Sequence, residues 1–196
     1  MGVPSAVMMA LVRVMLHSCP LSSGQERVPF CPLHGVVVQP PHVVLGHLNR
    51  ILIENSLEGW FMTAFYSVLS PAEGTLHFSN AGHPRPLLWR ASTGMIESLH
   101  DIAGLPLGLN PRGSYHHART TIEPGDVLVC YSDGLTEASN ERGDLFGRQR
   151  LETAIGDAAG RGAERVKSYV LARLDHFLMG KEPQDDMTLV VLQRDA

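Results

Sequence analysis

Residues 123–138 read EPGDVLVCYSDGLTEA, and this stretch decides how the rest of the chain is interpreted. A Glu-Pro-Gly turn leads into the apolar run Asp126–Tyr131, which is typical of a buried β-strand. Asp133 follows at the end of that run. Further along, the acidic pair Asp185–Asp186 stands just before a second apolar run, Met187–Leu192. The sequence therefore predicts two strands, each with carboxylates at one end.

Carboxylates at the rim of a sheet suit hard divalent cations such as Mg²⁺ and Mn²⁺, which prefer oxygen ligands. If the two strands are neighbours, Asp133 and Asp185 could face one cation. A simpler interpretation stays open at this point. Asp-Gly after an apolar strand is a strong hairpin signal, and the segment from Pro183 to Asp186 could be an ordinary polar turn.

On either side of this stretch, the apolar patterns predict helices before a group of strands, then two further helices and a last strand. Pro40–Asn55 is predicted as a helix with Asn49 on the side opposite its apolar face. The other predicted helices are Pro4–Ser18, Arg148–Ala158 and Ala163–Met179, with a long loop over Cys19–Gln39. The other predicted strands are Phe61–Leu69, Thr75–Asn80, Pro86–Arg90, Met95–Leu99 and His116–Ile122. This order predicts an α+β domain with helices packed on antiparallel sheet.

The bulk composition narrows the possible function. The chain has 196 residues, 44% of them hydrophobic, and a net charge of −4. The sequence has no basic patch, so nucleic-acid binding is not expected. The apolar N-terminal segment is too short to span a bilayer, so no membrane partner is expected. Three cysteines with no zinc-ligand spacing favour a reducing cytoplasm.

The histidines give a weaker signal. His42 and His47 form no HExxH pair, and their spacing of five places them off a common helix face. His116 and His117 alternate between the faces of a strand. His83 directly follows a strand and could act as a proton donor, although a turn histidine bonded to local backbone would look the same.

Seven short motifs, taken together, resemble one family. They are GVPSA at 2–6, FMTAFY at 61–66, NAGHP at 80–84, GLPLG at 104–108, EPGD at 123–126, YSDGLTEA at 131–138 and DDMTL at 185–189. Their order and spacing are similar to those of the SpoIIE-like branch of the metal-dependent protein phosphatases (PPM, or type 2C). The match covers the C-terminal two-thirds of that domain, with 19–39 as an insertion loop.

The resemblance implies an αββα sandwich, with two antiparallel sheets between helical layers. It implies metal-dependent hydrolysis of phosphoserine or phosphothreonine by a metal-activated water, with two Mn²⁺ or Mg²⁺ ions. Asp133 and Asp185 match metal ligands, whereas Asp186, Gly134 and Thr188 match positions beside the metals. The expected substrate is a phosphoprotein of the anti-anti-sigma type in bacterial partner switching. An upstream sensor or receiver domain is common in this branch.

One departure from the family changes these expectations. Gly2 matches the last glycine of an Asp-x-x-Gly-His-Gly motif, so two further metal-binding aspartates and several early strands would lie before Met1. We therefore expect residues 1–196 to form a single, N-terminally truncated domain with weak or partial metal binding. Three alternatives stay open: an active phosphatase whose start lies upstream, a catalytically inactive binding module, and a chain that does not fold alone.

Overall fold

The structure is a computed structural model that describes residues 39–55, 61–99 and 104–195. The helix predicted over Pro4–Ser18 lies outside these described residues. So does the loop predicted over Cys19–Gln39, apart from Gln39 itself.

The helices and strands follow the predicted order, with small shifts at their ends. The elements are α1 (Pro41–Asn55), β1 (Ala64–Ser70), β2 (Thr75–Ala81), β3 (Leu87–Trp89), β4 (Ile96–Ser98), β5 (Ala118–Thr121), β6 (Val127–Tyr131), α2 (Asp133–Thr136), α3 (Gly147–Ala158), α4 (Ala163–Leu178) and β7 (Leu189–Gln193). A short 3₁₀ turn, Ala159–Arg161, joins α3 to α4. The predicted α+β class, with antiparallel strand pairs, is confirmed. The short helix α2 was not predicted.

Helix α1 and a hairpin form the core of the first compact unit, whose described residues are 39–55, 61–82 and 104–119. Strands β1 and β2 pair antiparallel from Ala64↔Ala81 to Ser70↔Thr75, and the sheet order is β1-β2-β5. A turn over residues 71–74 closes this hairpin. The apolar face of α1 packs into a buried cluster, as its helical spacing predicted. That cluster contains Val44, Leu45, Leu48, Leu52, Ala81, Leu107 and Tyr115.

Asn49 corrects one prediction. The sequence placed it on the polar side of the helix, but the side chain is buried, with 2% of its surface exposed. Its Oδ1 accepts a hydrogen bond from the Gly108 amide at 2.8 Å, and its Nδ2 donates to the Asn110 carbonyl at 2.9 Å. A buried amide is tolerated because it satisfies backbone groups of the loop that it meets. The prediction was wrong because the loop that meets Asn49 is distant from this helix in the sequence, and the helical pattern alone does not reveal such a contact.

The described residues of the second compact unit are 83–99 and 120–195. Its four-stranded sheet has the order β4-β3-β6-β7, and each of the three neighbouring pairs is antiparallel. One face of the sheet packs against α3 and α4. The fully buried residues of this core include Leu87, Val127, Val129, Leu151, Ile155, Val166 and Val170.

A buried ion pair fixes the entry to β6. Asp126 is 1% exposed, and its Oδ2 accepts a hydrogen bond from the Arg90 guanidinium at 2.9 Å. The carboxylate also accepts from the amides of Ala91 and Glu123, at 2.9 and 3.1 Å. A buried charge is costly unless it is paired in this way. Asp126 therefore holds the turn before β6 against the end of β3.

No helix within the described ranges is long and apolar enough to cross a bilayer. The prediction of a single truncated domain stays a prediction, and the two compact units are described separately.

Candidate active site

Strands β6 and β7 bring the two acidic segments to the same end of the sheet. They pair antiparallel, with Tyr131 opposite Leu189 at the end of the ladder. Asp133 follows the last residues of β6, while Asp185 and Asp186 precede the first residues of β7. In an antiparallel pair, the end of one strand lies beside the start of the other. The condition set by the sequence, that the two strands are neighbours, is met.

Beyond the paired strands, Ser132 continues to hold the two segments together. Its amide donates to the Thr188 carbonyl at 3.1 Å, and its hydroxyl oxygen accepts from the Thr188 amide at 2.9 Å. The same hydroxyl donates to the Asp186 carbonyl at 3.3 Å. This three-bond link, which we call the Ser132 clamp, fixes the start of one acidic segment to the end of the other.

Asp133 is the first residue of α2, and its carboxylate is exposed. Its Oδ1 accepts a hydrogen bond from the Gly134 amide at 3.0 Å. Its backbone carbonyl accepts from the Glu137 amide at 2.8 Å and from the Thr136 hydroxyl at 3.1 Å. The backbone of Asp133 is therefore fixed by the turn.

Asp185 is held by a similar local bond. Its Oδ1 accepts from the Asp186 amide at 2.8 Å, and both residues are exposed. The close approach of the two segments depends on Gly134. A Cβ added at Gly134 would lie 2.5 Å from the Asp186 carbonyl oxygen and 3.5 Å from the Asp185 Cβ. The glycine therefore lets the two acidic segments touch.

His83 belongs to the same unit and lies near Asp133. Burial lowers the pKa of the half-buried imidazole, while the Asp133 carboxylate and a hydrogen bond to the Tyr131 backbone act in the opposite direction on that pKa. The imidazole is therefore close enough to Asp133 to feel its charge, and its pKa stays below the usual value of 6.5. Sequence reasoning named His83 without placing it beside Asp133.

A cavity of about 240 Å³ adjoins Asp185. It is lined by Gly134, Glu137, Ala138, Leu145, Gln184 and Asp185. The wall that carries Leu145 is a small loop, closed by a bridge between Ser139 and Leu145. Lys181 ties this loop to the segment before Asp185, because its Nζ donates to the Ser139 hydroxyl at 2.8 Å and to the Asn140 carbonyl at 3.1 Å.

Comparison with known proteins identifies the family. The family model described as Stage II sporulation protein E (SpoIIE) matches residues 1–195. The chain belongs to the SpoIIE family. The predicted resemblance is thereby confirmed over nearly the whole chain.

One relative of this SpoIIE-family chain is named as a phosphatase. The chain is 27% identical over 196 residues to the phosphoserine phosphatase RsbU of Bacillus subtilis, an alignment that covers 98% of this chain and 52% of RsbU. The chain thus spans about half the length of that relative.

Solved structures agree on the fold. The SiaA-PP2C domain of Pseudomonas aeruginosa superposes with a TM-score of 0.74 at 21% identity, covering 99% of this chain and 71% of that one. The phosphatase domain of SpoIIE from Bacillus subtilis, presoaked with Mn, superposes with a TM-score of 0.58 at 13% identity. That match covers 100% of this chain and 76% of the SpoIIE chain. The fold of this SpoIIE-family chain is therefore of the PP2C type.

The residues of this SpoIIE-family chain fit a divalent cation only in part. Asp133, Asp185 and the Asp186 carbonyl offer hard oxygen atoms around the contact at Gly134, which is the donor chemistry that Mg²⁺ and Mn²⁺ take. Within 39–55, 61–99 and 104–195, however, no group of three or more His, Cys, Asp or Glu residues could hold a metal ion. The described residues thus offer oxygen donors but no complete coordination shell.

The structure brings together every site residue named from the sequence. Asp133, Gly134, Asp185, Asp186 and Thr188 lie around the Ser132 clamp, and His83 lies near Asp133. Sequence reasoning missed Ser132 as a contact residue. Its position between the strand and Asp133 is the signal that could have found it, because a hydroxyl there can reach the neighbouring segment.

Proposed function

We propose that this chain is the catalytic part of a protein phosphatase that hydrolyses phosphoserine or phosphothreonine with a metal-activated water. The observation that carries this proposal is the contact between the Asp133 and Asp185–Asp186 segments through Gly134 and the Ser132 clamp. Family membership and the name of RsbU support the reaction class.

Asp133 and Asp185 are the residues proposed to hold the metal. Two Mn²⁺ or Mg²⁺ ions would supply a nucleophilic hydroxide near neutral pH and neutralise the phosphate under attack. Asp186, Gly134 and Thr188 keep the ligands in place through the bonds described above. Two carboxylates balance only part of the charge of two divalent ions, so we expect weak or partial binding by residues 1–196.

His83 is the proposed proton donor to the leaving serine or threonine oxygen. Its proximity to Asp133 supports this role, because the leaving oxygen must lie beside the metal ligands. The ring's bond to the Tyr131 backbone fixes its orientation.

A phosphoserine segment of another protein is the proposed substrate, since RsbU is a phosphoserine phosphatase. The cavity beside Asp185 gives room for residues that flank the phosphate. We further propose an anti-anti-sigma-type partner in bacterial partner switching, a cytoplasmic location, and control by an upstream sensor or receiver domain.

A second candidate function is a catalytically inactive binding module. The observation that favours it is the incomplete set of ligands among residues 39–55, 61–99 and 104–195. Such a module would hold a phosphoprotein without hydrolysing it.

The experiment measures phosphate release from a phosphoserine peptide and from p-nitrophenyl phosphate at increasing Mn²⁺. We expect slow release that EDTA abolishes, that Asp133→Asn reduces at least tenfold, and that His83→Gln reduces without weakening Mn²⁺ binding. Turnover that is equal in wild type and Asp133→Asn would overturn the phosphatase proposal. Peptide binding with no release at any Mn²⁺ concentration would establish the binding module.

A further inference from the structure

Three histidines stack in the first compact unit, whereas the acidic site belongs to the second. His42 comes from α1, His77 from β2, and His117 from the residue before β5. The ring centroids of His77 and His117 are 5.1 Å apart, and their planes meet at 25°. His42 also stacks on His117, with ring centroids 5.5 Å apart and planes at 18°. Neither the sequence motifs nor the proposed phosphatase uses these side chains.

The central contact of the stack joins two ring nitrogens. His77 Nδ1 and His117 Nε2 are 2.9 Å apart, a hydrogen-bond distance. One nitrogen must donate a proton and the other must accept it, so a single proton lies between two lone-pair positions. Two imidazole nitrogens placed this way can instead share a metal ion.

The distance between the two ring nitrogens favours one kind of coordination geometry. With bonds of about 2.0–2.1 Å, nitrogens 2.9 Å apart subtend about 90° at a shared ion. That is the angle between neighbouring ligands in a square-planar or tetragonal site, the geometry that Cu²⁺ and Ni²⁺ prefer, and imidazole is a ligand for both. We propose that His77 and His117 form a two-histidine binding site for Cu²⁺ or Ni²⁺.

The surroundings of the pair suit this role. His77 is 9% exposed and fixed in β2, while His117 is exposed and therefore open to an ion from solvent. The His42 ring restricts the tilt of His117. Arg119 places positive charge near His77 and weakens cation binding, while Glu73 partly offsets it. Since no third protein ligand completes a group in the described chain, water would fill the remaining positions on the ion.

Binding of the metal ion would replace the hydrogen bond between the two rings by two nitrogen–metal bonds. The N–H···N hydrogen bond breaks, the donating ring changes tautomer by moving that proton to its other nitrogen through solvent, and two nitrogen–metal bonds form without a change in the oxidation state of the ion. Metal affinity should therefore fall as the medium is acidified, because protons compete for both rings.

The test uses Cu²⁺ alone as the probe, added to the wild-type chain in excess Mg²⁺ so that oxygen-ligand sites stay occupied. Electron paramagnetic resonance counts the nitrogens bound to copper. We expect splitting from two nitrogens, and the loss of this signal with at least a tenfold loss of affinity in His117→Ala. His116→Ala, an exposed neighbour, and His42→Phe, which keeps an aromatic ring, should both retain the two-nitrogen signal.

His117 is exposed, so His117→Ala should fold normally, and circular dichroism checks this directly. An unchanged copper spectrum and affinity in His117→Ala would overturn the proposal. Loss of the two-nitrogen signal in His116→Ala would overturn it as well, since the copper would then lie elsewhere. Neither result depends on phosphatase activity.

Discussion

The Ser132 hydroxyl lies 2.9 Å from the Thr188 amide and 3.3 Å from the Asp186 carbonyl, so one side chain bonds twice to the opposite acidic segment. Ser132 is 54 residues from Asp186 and 56 residues from Thr188 in the chain. The distance in space between the two acidic segments therefore depends on a single hydroxyl as well as on the strand ladder. This clamp positions the two carboxylates proposed as metal ligands.

Ser132→Ala should loosen the acidic segments. The change removes both side-chain bonds, and we expect a loss of about 1 kcal/mol in the free energy of unfolding, with Mn²⁺ affinity reduced severalfold. Urea denaturation and Mn²⁺ titration measure the two effects. Ser168→Ala is the matched control, since the Ser168 hydroxyl bonds only within its own helix to the Arg165 carbonyl. If Ser132→Ala bound Mn²⁺ as tightly as wild type, the clamp would have no role in the site.

Gly134→Ala should push the two acidic segments apart. The added Cβ would lie 2.5 Å from the Asp186 carbonyl oxygen, which is backbone and cannot rotate away. Such overpacking costs about 1–3 kcal/mol, measurable by thermal or urea denaturation.

The control for that change is Gly156→Ala in α3, where an added Cβ meets nothing within 4 Å. It should leave stability unchanged or raise it by about 0.5–1 kcal/mol, because alanine favours a helix interior. Equal effects of the two substitutions would contradict the close contact at Gly134.

Asp126→Asn should be the most destabilising of the charge-neutralising changes. Asp126 is 1% exposed and pairs with Arg90, so the variant leaves a guanidinium without its buried partner. We expect a loss of about 3 kcal/mol in the free energy of unfolding. Glu97→Gln removes the other carboxylate that pairs with Arg90. The Glu97 side chain is 53% exposed, so this change should lower the free energy of unfolding by less than about 1 kcal/mol. Similar losses in both variants would show that burial of Asp126 does not matter.

His77 should make the chain less stable in mild acid. Burial, with His117 and Arg119, lowers the pKa of His77 below its usual 6.5, while Glu73 opposes this. The unfolded chain therefore takes up a proton at a pH where the folded chain does not. Stability is unaffected above the unfolded pKa and falls as the pH drops below about 6.5. His77→Phe should show a smaller loss between pH 7.5 and 5 by urea denaturation in EDTA. An identical pH dependence in both proteins would contradict the lowered pKa.

Local patterns predicted the elements and part of the site. Alternating apolar residues predicted the β1–β2 hairpin and strand β6, and helical spacing predicted α1, because each signal lies within one short segment. Carboxylates at the ends of β6 and β7 were evident from the sequence. Their adjacency required the pairing Tyr131↔Leu189, which joins segments that are distant in the chain.

Non-local contacts and one very short helix account for what the sequence did not predict. Asn49 was placed on the solvent side because its helix position is polar, but its partners are backbone groups near Gly108. The contact between His77 and His117 joins two elements 40 residues apart, and no spacing rule relates them. Helix α2 has only four residues, too few for a periodic signal.

The most direct test of the account is a double-mutant cycle on Mn²⁺ affinity. The wild-type chain, Asp133→Asn, Asp185→Asn and the double variant are titrated with Mn²⁺, and the signal of free Mn²⁺ gives each dissociation constant. If both carboxylates hold one ion, each single change should weaken binding at least tenfold, and the double variant should lose much less than the product of the two losses. Losses that simply multiply, or a single variant that binds like wild type, would contradict a shared ion at Asp133 and Asp185.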